Sequence, residues 1–131
     1  MDRPTFRRTG LVATIMVIAG LAATTPALAG DAGKGKGVFA AQCAMCHTAN
    51  KGGGPILGPN LYGVVGRKAG AVAGYAYTPG MKTAGWEWTD DKLAAYLPAP
   101  RAMVSGTKMT YGGLHDPAKL ADLIAYLDTL K

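Results

Sequence analysis

Cysteine is nearly missing from this 131-residue chain: there are two, three positions apart, too few and too close to build a disulfide framework. Aromatic residues are sparse at 8% and charged ones at 17%, but hydrophobic residues make up 49%, which excludes a disordered chain. The 19 Gly and eight Pro follow no Gly-X-Y period, so a collagen or a long coiled coil is excluded as well. There is no internal repeat, no sign of a second domain and no strand pattern worth naming. Basic residues outnumber acidic ones 14 to 8, yet they are scattered along the chain, and nothing supports binding to nucleic acid.

Long apolar runs are lacking too. The longest, Gly10 to Ala23 broken only by Thr14, is shorter than the roughly 20 residues that span a bilayer. It follows Arg3, Arg7 and Arg8 and precedes Ala27-Leu28-Ala29, with small residues at the two positions a signal peptidase reads. Residues 1–29 therefore read as a secretory signal cut after Ala29, delivering 30–131 to the periplasm as a single soluble domain with no stable membrane insertion. Arg7-Arg8 would suit the twin-arginine route, but nothing else in the stretch supports it, so the general secretion route is read, with retention of the segment as a membrane anchor the competing reading. Removing Arg3, Arg7, Arg8 and Asp2 leaves 11 basic and 7 acidic residues, a balance of +4. A domain of this size buries only about 60 to 65% of its unfolded surface. It needs a second source of stability, and with disulfides unavailable a cofactor fills that place.

What is present is helical. Asp116 as cap, Pro117 at the first helical position and Leu120, Leu123, Ile124, Leu127 and Leu130 on one face predict a C-terminal helix. A second is predicted from Asp90 to Leu97, capped by Thr89, with acids in its first turn and Pro98 ending it. A third, from Ala32 to Met45, carries Gly33, Gly35 and Gly37, each costing about 1 kcal/mol of helix propensity relative to Ala, which points to another backbone packed close by. From Thr48 to Glu87 the chain is rich in Gly, Pro and Lys. A loop of that length inside one domain makes sense if it wraps something other than protein.

Cys43-Ala44-Met45-Cys46-His47 says what is wrapped. Two thiols at this spacing can each add to one vinyl group of a haem, and the His directly after the second is placed to ligate the iron. A thioredoxin-like redox pair would sit in an alternating strand and helix pattern, which is absent, and a structural zinc site needs four ligands where only His115 could join these three. One copy of the motif means one haem. The sixth ligand is to be sought among Met45, Met81, Met103, Met109 and His115. Met45 is trapped inside the attachment motif, and Met109 stands out because Gly106-Thr107-Lys108-Met109 is a loop between two helices that can be shaped to a cofactor.

These motifs, with Gly35-Lys36-Gly37-Val38-Phe39, Gly58-Pro59-Asn60-Leu61, Gly66-Arg67-Lys68, Gly74-Tyr75-Ala76-Tyr77-Thr78, Gly85-Trp86-Glu87-Trp88, Tyr96-Leu97 and Leu123-Ile124-Ala125-Tyr126-Leu127, resemble class I cytochromes c of the mitochondrial and bacterial c2 types. The resemblance covers the whole of 30–131. It implies an all-α fold of three to five helices with long loops around one covalently bound haem c, the first and last helices crossing closely through Phe39, Leu123 and Tyr126. It implies that Cys43 and Cys46 are the thioether anchors and that His47 and Met109 are the axial ligands. The Pro59 carbonyl would accept the free ring N–H of His47. Arg67, Tyr77 and Trp88 would hold the haem propionates, and Tyr96 and Thr107 would tune Met109.

The resemblance further implies a monomeric one-electron carrier, not an enzyme, working between a quinol-oxidising complex and a terminal oxidase, a photosynthetic reaction centre or a periplasmic dehydrogenase. A haem enzyme or gas sensor with an open sixth site, or a membrane-tethered carrier, is the alternative. Three departures bear on Met109: Ser105 stands where a Pro is usual, Tyr111 where a Phe is usual, and Met81 where an Asn is usual. They predict a ligand loop that opens more easily and a drier pocket. The ring of basic residues that such carriers present to acidic partners is thin, with Lys108, Arg101 and Lys36 kept and Gln42, Gly54, Ile56, His115 and Asp116 at places often basic. Docking is therefore expected to lean on apolar surface around Ile56.

Overall fold

The computed structural model describes residues 29–131, so the predicted signal segment lies outside the described residues except for its last position. Among the described residues there are five helices: α1 (Ala32–Gln42), α2 (Pro79–Lys82), α3 (Asp90–Tyr96), α4 (Pro100–Met103) and α5 (Pro117–Asp128). Side-chain capping explains where the three longer ones begin. The Asp31 carboxylate accepts the Lys34 N–H, the Thr89 hydroxyl the Lys92 N–H, and the Asp116 carboxylate the N–H groups of both Ala118 and Lys119. The last pair satisfies two of the donors that a helix start leaves free.

The ends differ from expectation by a few residues, for identifiable reasons. α1 stops at Gln42 instead of Met45 because the Phe39 carbonyl accepts from both Cys43 and Ala44, which loosens the last turn and lets the attachment motif leave the helix. α3 ends at Tyr96 with Leu97 as its cap, and Leu130, expected on the face of the last helix, lies beyond α5 and is buried from there. α2 and α4 were not predicted. Both begin with a Pro at the first helical position, the same signal that marks α5, but run only four residues each.

α1 and α5 cross at close range. A Cβ placed on Gly35 would lie 1.9 Å from the Asp122 carbonyl oxygen, so only Gly permits this approach. Gly33 and Gly37 face no backbone: alternate positions of a helix do not share a face, and the second close approach is made by Gly30 against the Ala121 carbonyl. The Phe39 and Tyr126 rings meet at the crossing with centroids 5.5 Å apart, and Leu123, 1% exposed, is sealed behind them.

The 48–87 segment is loop for most of its length, interrupted by α2 and by one isolated antiparallel bridge between Lys68 and Glu87. Around the bridge, Ala69 N–H donates to the Trp86 carbonyl and Trp88 N–H to the Arg67 carbonyl, both at 2.9 Å. That pairing sets Arg67 beside Trp88, in keeping with the shared place at the propionates that the resemblance implies for them. Val64, Trp88, Leu93, Tyr96, Leu97, Val104, Leu114 and Leu127 complete a core in which the helices form one side of a cavity and the loops the other.

Candidate functional site

Beyond α1 the chain turns sharply. The Cys43 carbonyl accepts from Cys46 N–H at 3.0 Å and from His47 N–H at 2.9 Å, and the Cys46 carbonyl accepts from Gly58 N–H at 2.8 Å. These bonds bring both thiols and the imidazole to one wall of a cavity of about 380 Å³, within the usual range for a cofactor pocket. Burial, followed by the neighbouring Cys46, pushes the free Cys43 thiol up to about 11, so that before attachment it stays protonated at neutral pH.

His47 is held on two sides. Its Nδ1 lies 2.7 Å from the Pro59 carbonyl oxygen, and since a carbonyl only accepts, Nδ1 carries the proton and the lone pair is left on Nε2. A Cβ on Gly58 would come within 2.3 Å of the ring, so the glycine lets the backbone press against the imidazole. Burial lowers the imidazole's affinity for a second proton, the Pro59 bond opposes this, and the charge of Arg67 adds to it. The ring is thus kept neutral, as a metal ligand must be.

All ten residues singled out in the sequence line this one cavity: Cys43, Cys46, His47, Pro59, Arg67, Tyr77, Trp88, Tyr96, Thr107 and Met109. Among the possible sixth ligands, Met103 and His115 do not reach it, and Met45, though at its rim, is 83% exposed. Met81 and Met109 remain. Met109 is the one that is positioned: its N–H donates to the Thr107 hydroxyl at 3.2 Å, and the Tyr96 hydroxyl lies 3.4 Å from its sulfur. Tyr96 itself is 5% exposed and packs edge-on to Trp88 with ring centroids 4.8 Å apart. Trp86 does not reach the cavity and serves as the edge-on neighbour of Trp88, with the Lys92 ammonium 4.9 Å from its ring.

The lining suits a large apolar ring that carries acids. No Asp or Glu contributes to it, and more than half of its lining residues are Leu, Val, Met, Tyr or Trp. Arg67 is partly buried, donates from Nη1 to the Tyr62 carbonyl at 3.1 Å, and has no carboxylate partner among the described residues. Burial lowers its proton affinity, the signature of a cation short of a counter-charge. Tyr77 stands near it, raised above the ordinary tyrosine range by burial. A cation and phenols without carboxylates, two thiols, a neutral imidazole and a thioether form the donor set that a covalent haem with two propionates calls for.

Sequence reasoning passed over several wall residues. Tyr75 donates to the Leu57 carbonyl at 2.8 Å and stacks edge-on with Tyr77 at 4.7 Å, drawing two loops together. Its place between Gly74 and Tyr77 was the available signal. Lys108, expected in the exposed basic ring, has its ammonium bonded to the Ala76 carbonyl and 5.4 Å from the Tyr75 ring centre.

A helical fold closed around such a cavity, entered by a Cys-x-x-Cys-His motif, defines a haem protein of the c type. The family model described as Cytochrome c matches residues 32–131, and the chain belongs to the cytochrome c family. It is 50% identical over 101 residues to a Cytochrome c of Arabidopsis thaliana, covering 77% of this chain and 90% of the relative. It is also 50% identical over 98 residues to a Cytochrome c of Gibberella zeae, covering 75% and 92%, and over 98 residues to one of Theileria parva, covering 75% and 84%. The family is the class I, all-α one; it binds one haem c, for which Cys43 and Cys46 stand at the attachment spacing, and its members carry electrons to and from redox partners. No helix of the described residues is long and apolar enough to cross a membrane.

Proposed function

We propose that residues 30–131 act in the periplasm as a monomeric one-electron shuttle, not an enzyme, with His47 and Met109 as the axial ligands of a haem held by Cys43 and Cys46. The observation that carries this reading is the placement of Met109: it is the methionine of the cavity whose backbone and sulfur are both fixed, by Thr107 and Tyr96. The bound iron supplies a site that exchanges one electron without making or breaking a bond to a substrate.

The chain's own residues do the rest. His47 presents Nε2 because Pro59 holds the proton on Nδ1. Tyr96, by donating to the Met109 sulfur, limits how far that side chain can turn away. Trp88, Leu93, Leu97 and Leu127 keep water from the inner wall, and Arg67 and Tyr77 offer donors to the buried propionates. With the interior closed in this way, a partner reaches only the cavity mouth, flanked by Met45 and Leu57, which are 83% and 70% exposed.

Export to the periplasm is supported by the Arg-rich start, the apolar run and Ala27-Leu28-Ala29, all of which precede the region shared with the relatives. The mass of the purified chain tests it: cleavage after Ala29 leaves the 30–131 polypeptide plus haem, and a full-length mass favours a tethered carrier. The donor and acceptor that fit are a quinol-oxidising complex on one side and a terminal oxidase, reaction centre or periplasmic dehydrogenase on the other. The deciding experiment is the visible spectrum of the ferric and ferrous protein, with carbon monoxide added to the latter. A sulfur-to-iron band in the ferric state and indifference to the gas are expected. Immediate gas binding without that band would replace electron transfer by ligand sensing or peroxide chemistry.

A further inference from the structure

We infer that Tyr111 and Gln42 form a clasp across the mouth of the cavity, and that this clasp governs how readily the loop bearing Met109 swings away; the inference rests on Met109 being the sixth ligand. The Tyr111 hydroxyl donates to Oε1 of Gln42. Gln42 is the last residue of α1 and directly precedes the anchor Cys43, whereas Tyr111 lies two residues beyond Met109. The side chains therefore join the attachment side of the site to the ligand side, and both border the cavity. Among the described residues no other hydrogen bond links 42–47 to 104–111.

The chemistry of the pair suits a clasp. A phenol fills the place of an aromatic wall and adds one directional donor at its far end, which a phenyl ring cannot supply. If Met109 binds the iron, an opening of the 104–111 loop that withdraws its sulfur would carry Tyr111 outward as well, and the barrier to that opening would include this bond. Ser105, where a Pro would stiffen the near end of the loop, leaves that end freer, and the clasp restrains the far end. Gln42 is exposed and its bond competes with water, so the effect belongs to the lower part of the range for one hydrogen bond, about two- to fivefold in rate. Tyr111 and Gln42 are positioning residues: they act through Met109.

The test is the limiting rate at which saturating imidazole replaces Met109 in the ferric haem-loaded protein at neutral pH, a rate set by loop opening. It is measured in the wild type, Tyr111→Phe, Gln42→Leu, Gln42→Glu and the Tyr111→Phe/Gln42→Leu double variant. The ferric sulfur-to-iron band of each, recorded before imidazole is added, reports whether Met109 is bound. Tyr111→Phe and Gln42→Leu are each expected to open about two- to fivefold faster with the band intact, and the double variant no faster than either alone. Gln42→Glu keeps an acceptor and should hold the wild-type rate. Equal rates in wild type and Tyr111→Phe overturn the clasp, as does a double variant whose effects multiply. A wild type with no band overturns the assignment of Met109 instead, and the clasp with it.

Discussion

Gly58 shows how much a single missing side chain decides. Its backbone lies against the His47 ring, and the adjacent Pro59 carbonyl accepts from the ring N–H, so one dipeptide fixes both the location and the tautomer of the imidazole proposed to bind the iron. A methyl group there would meet Cε1, Nδ1 and Nε2 at 2.3 to 2.9 Å, and the ring cannot withdraw without breaking the Pro59 bond. Gly58→Ala is expected to destabilise the haem-loaded fold by about 1–3 kcal/mol, as overpacking does. It should also weaken the sulfur-to-iron band, checked by denaturant unfolding and by the ferric spectrum; an unchanged band would show that the ring has another resting place. Arg67 carries a comparable lesson at the residue scale. Its sequence context, a cation in a glycine loop, suggested a binding role, but that no carboxylate faces it among the described residues was visible only once the chain was folded.

At the scale of elements, the loop bearing Met109 is held by specific restraints. Thr107 N–H donates to the Val104 carbonyl at 3.3 Å, and Gly106 takes φ +69°, which makes Val104–Thr107 a turn with Ser105 and Gly106 at its centre. A left-handed Gly at the third position and a preference for Pro at the second are the marks of a type II turn. Val104 is already extended, as a residue before Pro must be, and among the described residues the Ser105 N–H donates to no backbone carbonyl. Ser105→Pro should therefore stabilise the loop by about 0.4–1 kcal/mol by narrowing the open ensemble. The expected outcome is that the sulfur-to-iron band survives to higher pH in an alkaline titration than in the wild type. A lower midpoint would show that Ser105 takes a conformation that Pro cannot share. The α1 and α5 crossing, by contrast, is rigid because two glycines admit carbonyls where no Cβ could stand.

For the whole molecule, two behaviours follow from burial and charge. Tyr96 is 5% exposed, and burial raises it above the ordinary tyrosine range, with the Thr107 hydroxyl pulling weakly the other way. Above pH about 10 the unfolded chain loses this proton while the folded chain keeps it, so the folded state binds more protons and stability falls as pH rises. The slope from this one group is at most about 1.4 kcal/mol per pH unit, and Tyr96→Phe should flatten the alkaline limb in urea unfolding at a series of pH values. Docking is expected to lean on the exposed apolar surface around Ile56. Among the described residues Met45, Ile56 and Leu57 are the large apolar side chains left exposed, and the Lys108 ammonium, itself at the surface, donates to the Ala76 carbonyl. With a balance of +4 spread over 30–131, association with an acidic redox partner should slow only gently as salt is added, measured as rate against ionic strength; a steep fall would return the weight to the basic ring.

The division between what sequence and fold contribute follows from distance along the chain. Cys43-Ala44-Met45-Cys46-His47 determined the cofactor, its number and its attachment by itself, since that chemistry depends on spacing within five residues. Asp116-Pro117 and Thr89 likewise announced two of the helices, because capping is local. The short helices after Thr78 and Ala99 carried the same proline signal but too few residues for a hydrophobic period to stand out. Only the tertiary structure chose Gly35 and Gly30 over Gly33 and Gly37, and set Tyr111 against Gln42. Each of those choices joins segments tens of residues apart, where no local pattern records the partner and packing alone decides.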